Sequence, residues 1–395
     1  MAKIILQPGK ERPVYLRHPW IFSGAIAHVQ GDPDPGSIVS VQSSRGEWLA
    51  YGTWSGHSQI RVRLFSWNPN QLLDQELFLQ RLERAITARH MLGLAHSSTA
   101  YRLVYAESDG LPGLIVDRYG DFLAVQLLTQ GIVAHQHILV QALVKLVQPL
   151  GIYERSDPEA REKEGLPYGD GLLWGEEPPA QITIRQPGEL ISLVNLRDGQ
   201  KTGAYLDQAY NRLRVAAYCS GRDVLDAFCY SGGFSIAAAR ANATKITAID
   251  SSDAALELLQ KNMQANQLHT DLECMHTDVF RQLRQFRTAE QQFDVIILDP
   301  PKFAHNQGQV ERATRGYKDI NMLAMQLLRP GGILATFSCS GLVSADLFQK
   351  VVFGAALDAQ RDVQIIERLT QAPDHPVLLT FPEGEYLKGL ICRVW

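Results

Sequence analysis

The chain has 395 residues, enough for two or three domains at roughly 150 residues each, and its 45% hydrophobic and 20% charged content is ordinary for a globular protein. No apolar run approaches the about 20 residues that cross a bilayer, "MAKIILQPGK" lacks the apolar core of a signal peptide, and five cysteines (219, 229, 274, 339, 392) without a CxxC pair argue against a disulfide framework or zinc site. The net charge of −4 excludes a uniformly basic nucleic-acid binder, yet residues 1–68 hold seven Lys/Arg against four Asp/Glu, a locally basic unit.

Along the chain, turn signals crowd the first 68 residues (Pro8-Gly9, Asp34-Pro35-Gly36, Gly46, Gly56). Between them, short alternating runs such as "SIVSVQ" and "QIRVRLF" predict a small β-barrel, with Arg61 and Arg63 opposite Ile60, Val62 and Leu64. "LDQELFLQRLERAITARHML" has helical period and is expected to connect to a second region. There, residues 101–128 read as three strands, about 132–147 as a helix, "RSDPEAREKEGLPYGDG" as a loop and "ITIRQPGELISLVNL" as a hairpin. From about residue 200, strands and helices alternate in the manner of a parallel sheet covered on both faces. The expected division is 1–70, 75–196 and 197–395: an α/β doubly wound domain preceded by a small β-barrel and an α+β domain. The composition leads us to expect a cytoplasmic protein with no membrane partner and no metal. The oligomeric state, monomer or homodimer, is left open.

In such sheets, ligands bind outside the carboxyl ends of the strands, and the informative residues fall there. "DAFCYSGGFS" closes a strand at Asp226 and turns through Phe228, Tyr230, Ser231 and Gly232 into a helix, so backbone N–H groups can approach a ligand. Asp250 closes the next strand 18 residues after Gly232, the spacing at which a carboxylate grips a ribose diol. Asp278 in "HTDVF" is a further candidate. Both acids also fit a plain helix N-cap. A glycine turn alone is weak. Phe228 and Tyr230 stand where a pyrophosphate cradle needs glycines, and "ILDPPKFA" brings Asp299 and Pro300 to another strand end, so the set favours S-adenosylmethionine (SAM) over a dinucleotide.

An apolar run closing on Asp-Pro-Pro is how many SAM enzymes present a nucleic-acid base, usually for methylation of an exocyclic amine. "ATFSCSG" points elsewhere. It places Cys339 at the end of a buried strand, next but one in chain order to the strand of Asp299. An amine needs no nucleophilic thiol, whereas C5 of a pyrimidine does: a thiolate adding to C6 makes C5 an enamine carbon that can take a methyl group. Cys339 is therefore the expected nucleophile and Asp299 the group on the base edge. Cys229, beside the cofactor turn, is the rival thiol. A buried Cys that merely fills space is the bland alternative.

These stretches, together with "RHPWIFSGAI", "KTGAYLDQ", "GYKDINMLAMQLL" and "PEGEYLKG", resemble the class I SAM-dependent methyltransferases that modify cytosine C5 in 23S rRNA. The resemblance spans the chain and implies an N-terminal PUA domain, a central EEHEE domain and a Rossmann-like methyltransferase domain. It further implies SAM as cofactor, with Gln208 among its contacts, and 23S rRNA or a large-subunit assembly intermediate as partner. Many RNA C5 methyltransferases carry a second Cys in the loop that here reads Pro300-Pro301-Lys302, so the group assisting product release is unassigned. Expected RNA contacts are Lys302, Arg312, Arg315 and Lys318, in a segment read as a loop, and Arg17, Arg61 and Arg63. Two alternatives stay open: an RNA base N-methyltransferase using the same motif without covalent catalysis, and a non-catalytic RNA-binding assembly factor.

Overall fold

The computed structural model describes residues 1–395 except Asp198, Gln200 and His305. The chain divides into two compact units: Met1–Ile184 with Val194–Leu206 and Pro373–Gly384, and Arg185–Leu193 with Asp207–Ala372 and Glu385–Trp395. No helix among the described residues is long and apolar enough to cross a membrane.

In the first unit, strands Ala2–Leu6, Trp20–Phe22, Ile26–Gln30, Ile38–Gln42, Trp48–Trp54 and Ile60–Ser66 form one six-stranded mixed sheet. The alternation read in "QIRVRLF" holds, because Val62 and Leu64 join Ile4, Leu6, Val39 and Val41 in its core. The helix Gln75–Met91 starts where Asp74 accepts a hydrogen bond from Leu77 N at 2.9 Å. A second sheet of five strands follows, and the buried Arg102 grips the fully buried Asp117 through two hydrogen bonds of 2.8 and 2.9 Å. The segment expected to be a loop differs. Pro158–Glu164 is a helix, capped by Asp157 on Ala160 N and ended by left-handed Gly165. Its polarity is misleading because Arg161 and Glu164 are buried, paired with Glu154 at 2.6 Å and Arg63 at 2.7 Å.

The second unit is built on seven strands, numbered here within this sheet: β1 (Asp223–Ala227), β2 (Lys245–Asp250), β3 (Asp271–His276), β4 (Phe293–Leu298), β5 (Leu328–Ser338), β6 (Val363–Thr370) and β7 (Lys388–Val394). They lie in the order β3-β2-β1-β4-β5-β7-β6, and β7 alone runs antiparallel. Helices α1 (Ala209–Ala216), α2 (Gly233–Arg240) and α3 (Asp253–Ala265) cover one face through Val215, Phe234 and Leu259. Helices α4 (Val279–Thr288), α5 (Val310–Leu327) and α6 (Ala345–Ala359) cover the other through Leu283, Tyr317 and Phe348. This is the expected doubly wound fold. Strand order reverses between β1 and β4, so the crevice outside their carboxyl ends is the topological switch point, where such sheets bind ligands.

Two features of this unit, the segment around α5 and the neighbour of the Cys339 strand, depart from the expectations above. Helix α5 begins at Val310, so Arg312, Arg315 and Lys318 ride on a helix; the segment's charges and Gly316 hid a buried stripe of Ala313, Tyr317, Ile320 and Ala324. The segment "RPGG" (329–332) is a bulge inside β5: Phe293 pairs with Leu328 and Val295 with Ile333. Lastly, the Cys339 strand is the immediate neighbour of the Asp299 strand, with Leu298 opposite Thr336, because only a helix intervenes in the chain.

Candidate active site

Side-chain alternation along the strands decides what reaches the crevice. Val224, Val295, Ile297, Ala335 and Phe337 all belong to the core under α1–α3. Asp226, Asp299 and Cys339 continue those alternations, so three strand ends direct functional groups to the same side of the sheet.

The turn after β1 is unusual in backbone conformation. Phe228 (φ 64°), Tyr230 (φ 48°) and Gly232 (φ 79°) are all left-handed, and for the two non-glycine residues this costs about 1–2 kcal/mol each. Tertiary bonds hold the turn: Asp250 Oδ2 accepts from Tyr230 N at 2.9 Å, and Cys229 N donates to Ile249 O at 3.0 Å. A Cβ on Gly232 would lie 2.0 Å from Leu259 Cδ1, and one on Gly233 2.4 Å from Arg212 Nε, so neither position admits a larger residue. Strain held in this way clusters at ligand sites. Asp250 also accepts from Ser252 N at 3.0 Å, but Ser252 is the N-cap of α3, so Asp250 is not the cap. Each of its oxygens keeps a lone pair for a hydroxyl of a bound nucleoside. Asp278 is different: it is exposed and caps α4, accepting from Arg281 N at 2.8 Å.

At the switch point sits a buried charged cluster. Asp226 is fully buried; its Oδ2 accepts from Ser235 N (3.0 Å) and Ser235 Oγ (2.6 Å), while Oδ1 has no hydrogen-bond partner among the described residues. Burial, with Asp250 adding to it against the Ser235 bonds and Arg212, pushes its carboxyl up to about 6. Asp299 is pushed up to about 7 by burial and by Asp207, with Asp226 in support, against the Gln208 amide and Arg212. Gln208, expected at the cofactor, donates from Nε2 to Asp299 Oδ1 at 3.0 Å, and its own Oε1 accepts from Asn211 at 2.6 Å. Arg212 and Asp207 were not among the residues expected from the sequence. Arg212 is buried on α1 among three aspartates, and Tyr386 donates to Asp207. The "LDQ" motif was the available signal.

Cys339 is partly buried, and its Sγ lies 3.9 Å from the Pro300 carbonyl oxygen. Tyr317 of α5 ties both loops together: its ring packs at a tilt against Phe303 (centroids 4.6 Å) and its hydroxyl is 3.2 Å from Ser340 Oγ. The other thiols are held neutral. Burial, then the charges of Asp226 and Asp250, push Cys229 well above its usual value; burial alone dominates for Cys219 and Cys392, both pushed up to about 12, and for Cys274.

The expected RNA contacts separate. Lys302 and Arg312 are exposed, make no ion pair or hydrogen bond among the described residues, and line a 390 Å³ pocket with Phe280 and Phe303. Arg315 pairs with Glu311, and Lys318 with Asp358 at 2.7 Å. In the first unit, Arg17 is exposed in a left-handed conformation, whereas Arg61 donates to the Ser55 and Gly56 carbonyls. Arg63 is neutralised inside the unit by Glu164 at 2.7 Å and Glu107 at 3.6 Å.

Residues 4–67 match the family model of a PUA-like domain, and residues 174–391 that of S-adenosylmethionine-dependent methyltransferases. Curated proteins named ribosomal RNA large subunit methyltransferase I are similar over the full length. The Erwinia tasmaniensis protein is 47% identical, covering 100% of this chain and 99% of its own, and the Shewanella amazonensis protein is 49% identical with the same coverage. A Streptococcus mutans structure assigned to the SAM-dependent methyltransferases superposes over 100% of both chains with a TM-score of 0.86 at 22% identity, a likeness of fold. SAM is therefore the cofactor of this fold, and the strained glycine turn with Asp250 is a fitting place for it. The chain belongs to the family of SAM-dependent methyltransferases whose curated members are named ribosomal RNA large subunit methyltransferase I.

Proposed function

We propose that this protein methylates C5 of a cytosine in 23S rRNA of the large ribosomal subunit through a covalent adduct between Cys339 and C6. The observation that carries the reading is the approach of Cys339 Sγ to the Pro300 carbonyl, 3.9 Å, at the ends of two adjacent parallel strands. The names of the full-length relatives support the RNA class.

In this mechanism the Cys339 thiolate forms a bond to C6, and the C5=C6 electrons move toward C5 and N3. A carboxyl whose pKa is near 7 is half protonated at neutral pH, so Asp299 can give a proton to N3 as the adduct forms. The turn at residues 228–233, with Asp250 and Asp278, would hold SAM, which would supply a methyl group to C5 as its S–CH3 bond breaks and leave as S-adenosylhomocysteine. Loss of the C5 proton to water then returns an electron pair to C5=C6, the thiolate leaves, and Asp299 recovers its proton from N3. Lys302 and Arg312, with the aromatic pocket between them, hold RNA phosphates beside the target.

The test uses RNA containing 5-fluorocytosine, because fluorine cannot leave C5 as a proton does. Wild-type enzyme should form an adduct that survives denaturing electrophoresis, is lost in Cys339→Ser and persists in Cys229→Ser. Methylation by Cys339→Ser with no adduct in the wild type would instead favour direct transfer to a nitrogen.

A further inference from the structure

We propose that Lys388 is a positioning residue for Cys339: its ammonium group fixes the turn after the cysteine and, by its charge, favours the thiolate. This role rests on Cys339 being the nucleophile. Because β7 runs antiparallel to its neighbours, its first residue lies at the edge where β5 ends, and Lys388 pairs in register with Ser338. From there Nζ donates to the carbonyl oxygens of Ser340 at 2.6 Å and Val343 at 2.5 Å, both in the turn that Cys339 enters. Lys388 is only 9% exposed and makes no ion pair with a carboxylate among the described residues. An ammonium group buried without a counter-ion is costly, and such groups collect at functional sites.

The titratable groups facing it are Cys339 at the end of β5, Glu385 ahead of β7, and Tyr317, which approaches the same turn from α5. Burial lowers the Lys388 pKa to about 8, while negative charge on Cys339 and Glu385 works against the fall. At neutral pH the lysine thus remains mostly cationic. Cys339 releases its proton to water, and Lys388 keeps its own.

The experiment follows the pH dependence of Cys339 alkylation by iodoacetamide, read by peptide mass spectrometry so that the other cysteines do not interfere. In Lys388→Met the midpoint of the Cys339 alkylation profile should move to a pH higher by about 1–3, the usual effect of removing a nearby opposite charge. A measurement that leaves Lys388 in place guards against misfolding of that variant. With 13C-labelled lysine, Lys388 should titrate at lower pH in Cys339→Ser than in the wild type, because the coupling is reciprocal. Identical alkylation profiles in folded protein, or identical Lys388 titration in the two proteins, would overturn the proposal. A 5-fluorocytosine adduct on Cys339 alongside an unchanged alkylation profile removes the role of Lys388 alone. Absence of any adduct removes the covalent reading, and this role with it.

Discussion

Asp226 allows the electrostatics of the switch point to be measured without any substrate. It is fully buried, one of its oxygens takes both Ser235 donors, and the other has no partner among the described residues. Its pKa is pushed from 3.8 to about 6, chiefly by burial. The fold therefore binds this proton more tightly than the unfolded chain does. The stabilisation that results is complete below about pH 3.8 and is lost as pH rises through about 6. A tenfold difference in proton affinity is worth about 1.4 kcal/mol, so the ionised carboxylate costs the fold roughly 3 kcal/mol above pH 7. Asp226→Asn keeps an acceptor for Ser235 and cannot ionise. Its buried amide N–H group adds a cost that does not vary with pH, so the informative quantity is the change in the variant's relative stability between pH 4 and pH 8. That change should be roughly 2–3 kcal/mol in favour of Asn at the higher pH. For a unit of this size it corresponds to about 4–12 °C in melting temperature. Calorimetric melts of both proteins across this range supply the measurement. A difference that stays constant with pH would refute the assignment of a destabilising charge to Asp226, and one that moves against Asn would reverse it.

Three further outcomes are expected. Asp250→Ala should weaken SAM binding by about 1.5–3 kcal/mol, the worth of hydrogen bonds to a charged group, and unchanged calorimetric affinity removes Asp250 from the cofactor. Replacing Lys302 and Arg312 together by alanine should leave SAM affinity intact and make the salt dependence of RNA binding shallower by about 1.4, at roughly 0.7 per phosphate contact. Arg63→Ala, whose charge is paired internally, should leave that slope unchanged; an unaltered slope in the double variant, or a shallower one in Arg63→Ala, contradicts the placement.

Much of the fold was legible because it is written in short-range patterns. Short apolar runs alternating with helix-period segments marked β1, β2, β4 and β5, and the aspartates and the cysteine that close them are local features of the chain. The seven candidate RNA cations, by contrast, looked alike in sequence. Only folding distinguishes Lys302 and Arg312, left without partners among the described residues, from Arg63, enclosed by acids that lie 44 and 101 residues away. The same holds for the helix Pro158–Glu164, whose polar side chains are buried because partners from other elements satisfy them.

The sequence by itself determined which chemical groups stand at strand ends: a glycine turn, Asp226, Asp250, Asp299 and Cys339. The tertiary structure alone decided which of them meet. Strand order put β4 against β5, bringing Cys339 to Pro300, and the antiparallel course of β7 delivered Lys388 to the same edge. Burial then set the charges, raising Asp226 and Asp299 and lowering Lys388. Pairing between residues 50 apart, such as Ser338 with Lys388, leaves no periodic trace in either segment, and a side chain's pKa depends on the solvent that other segments exclude.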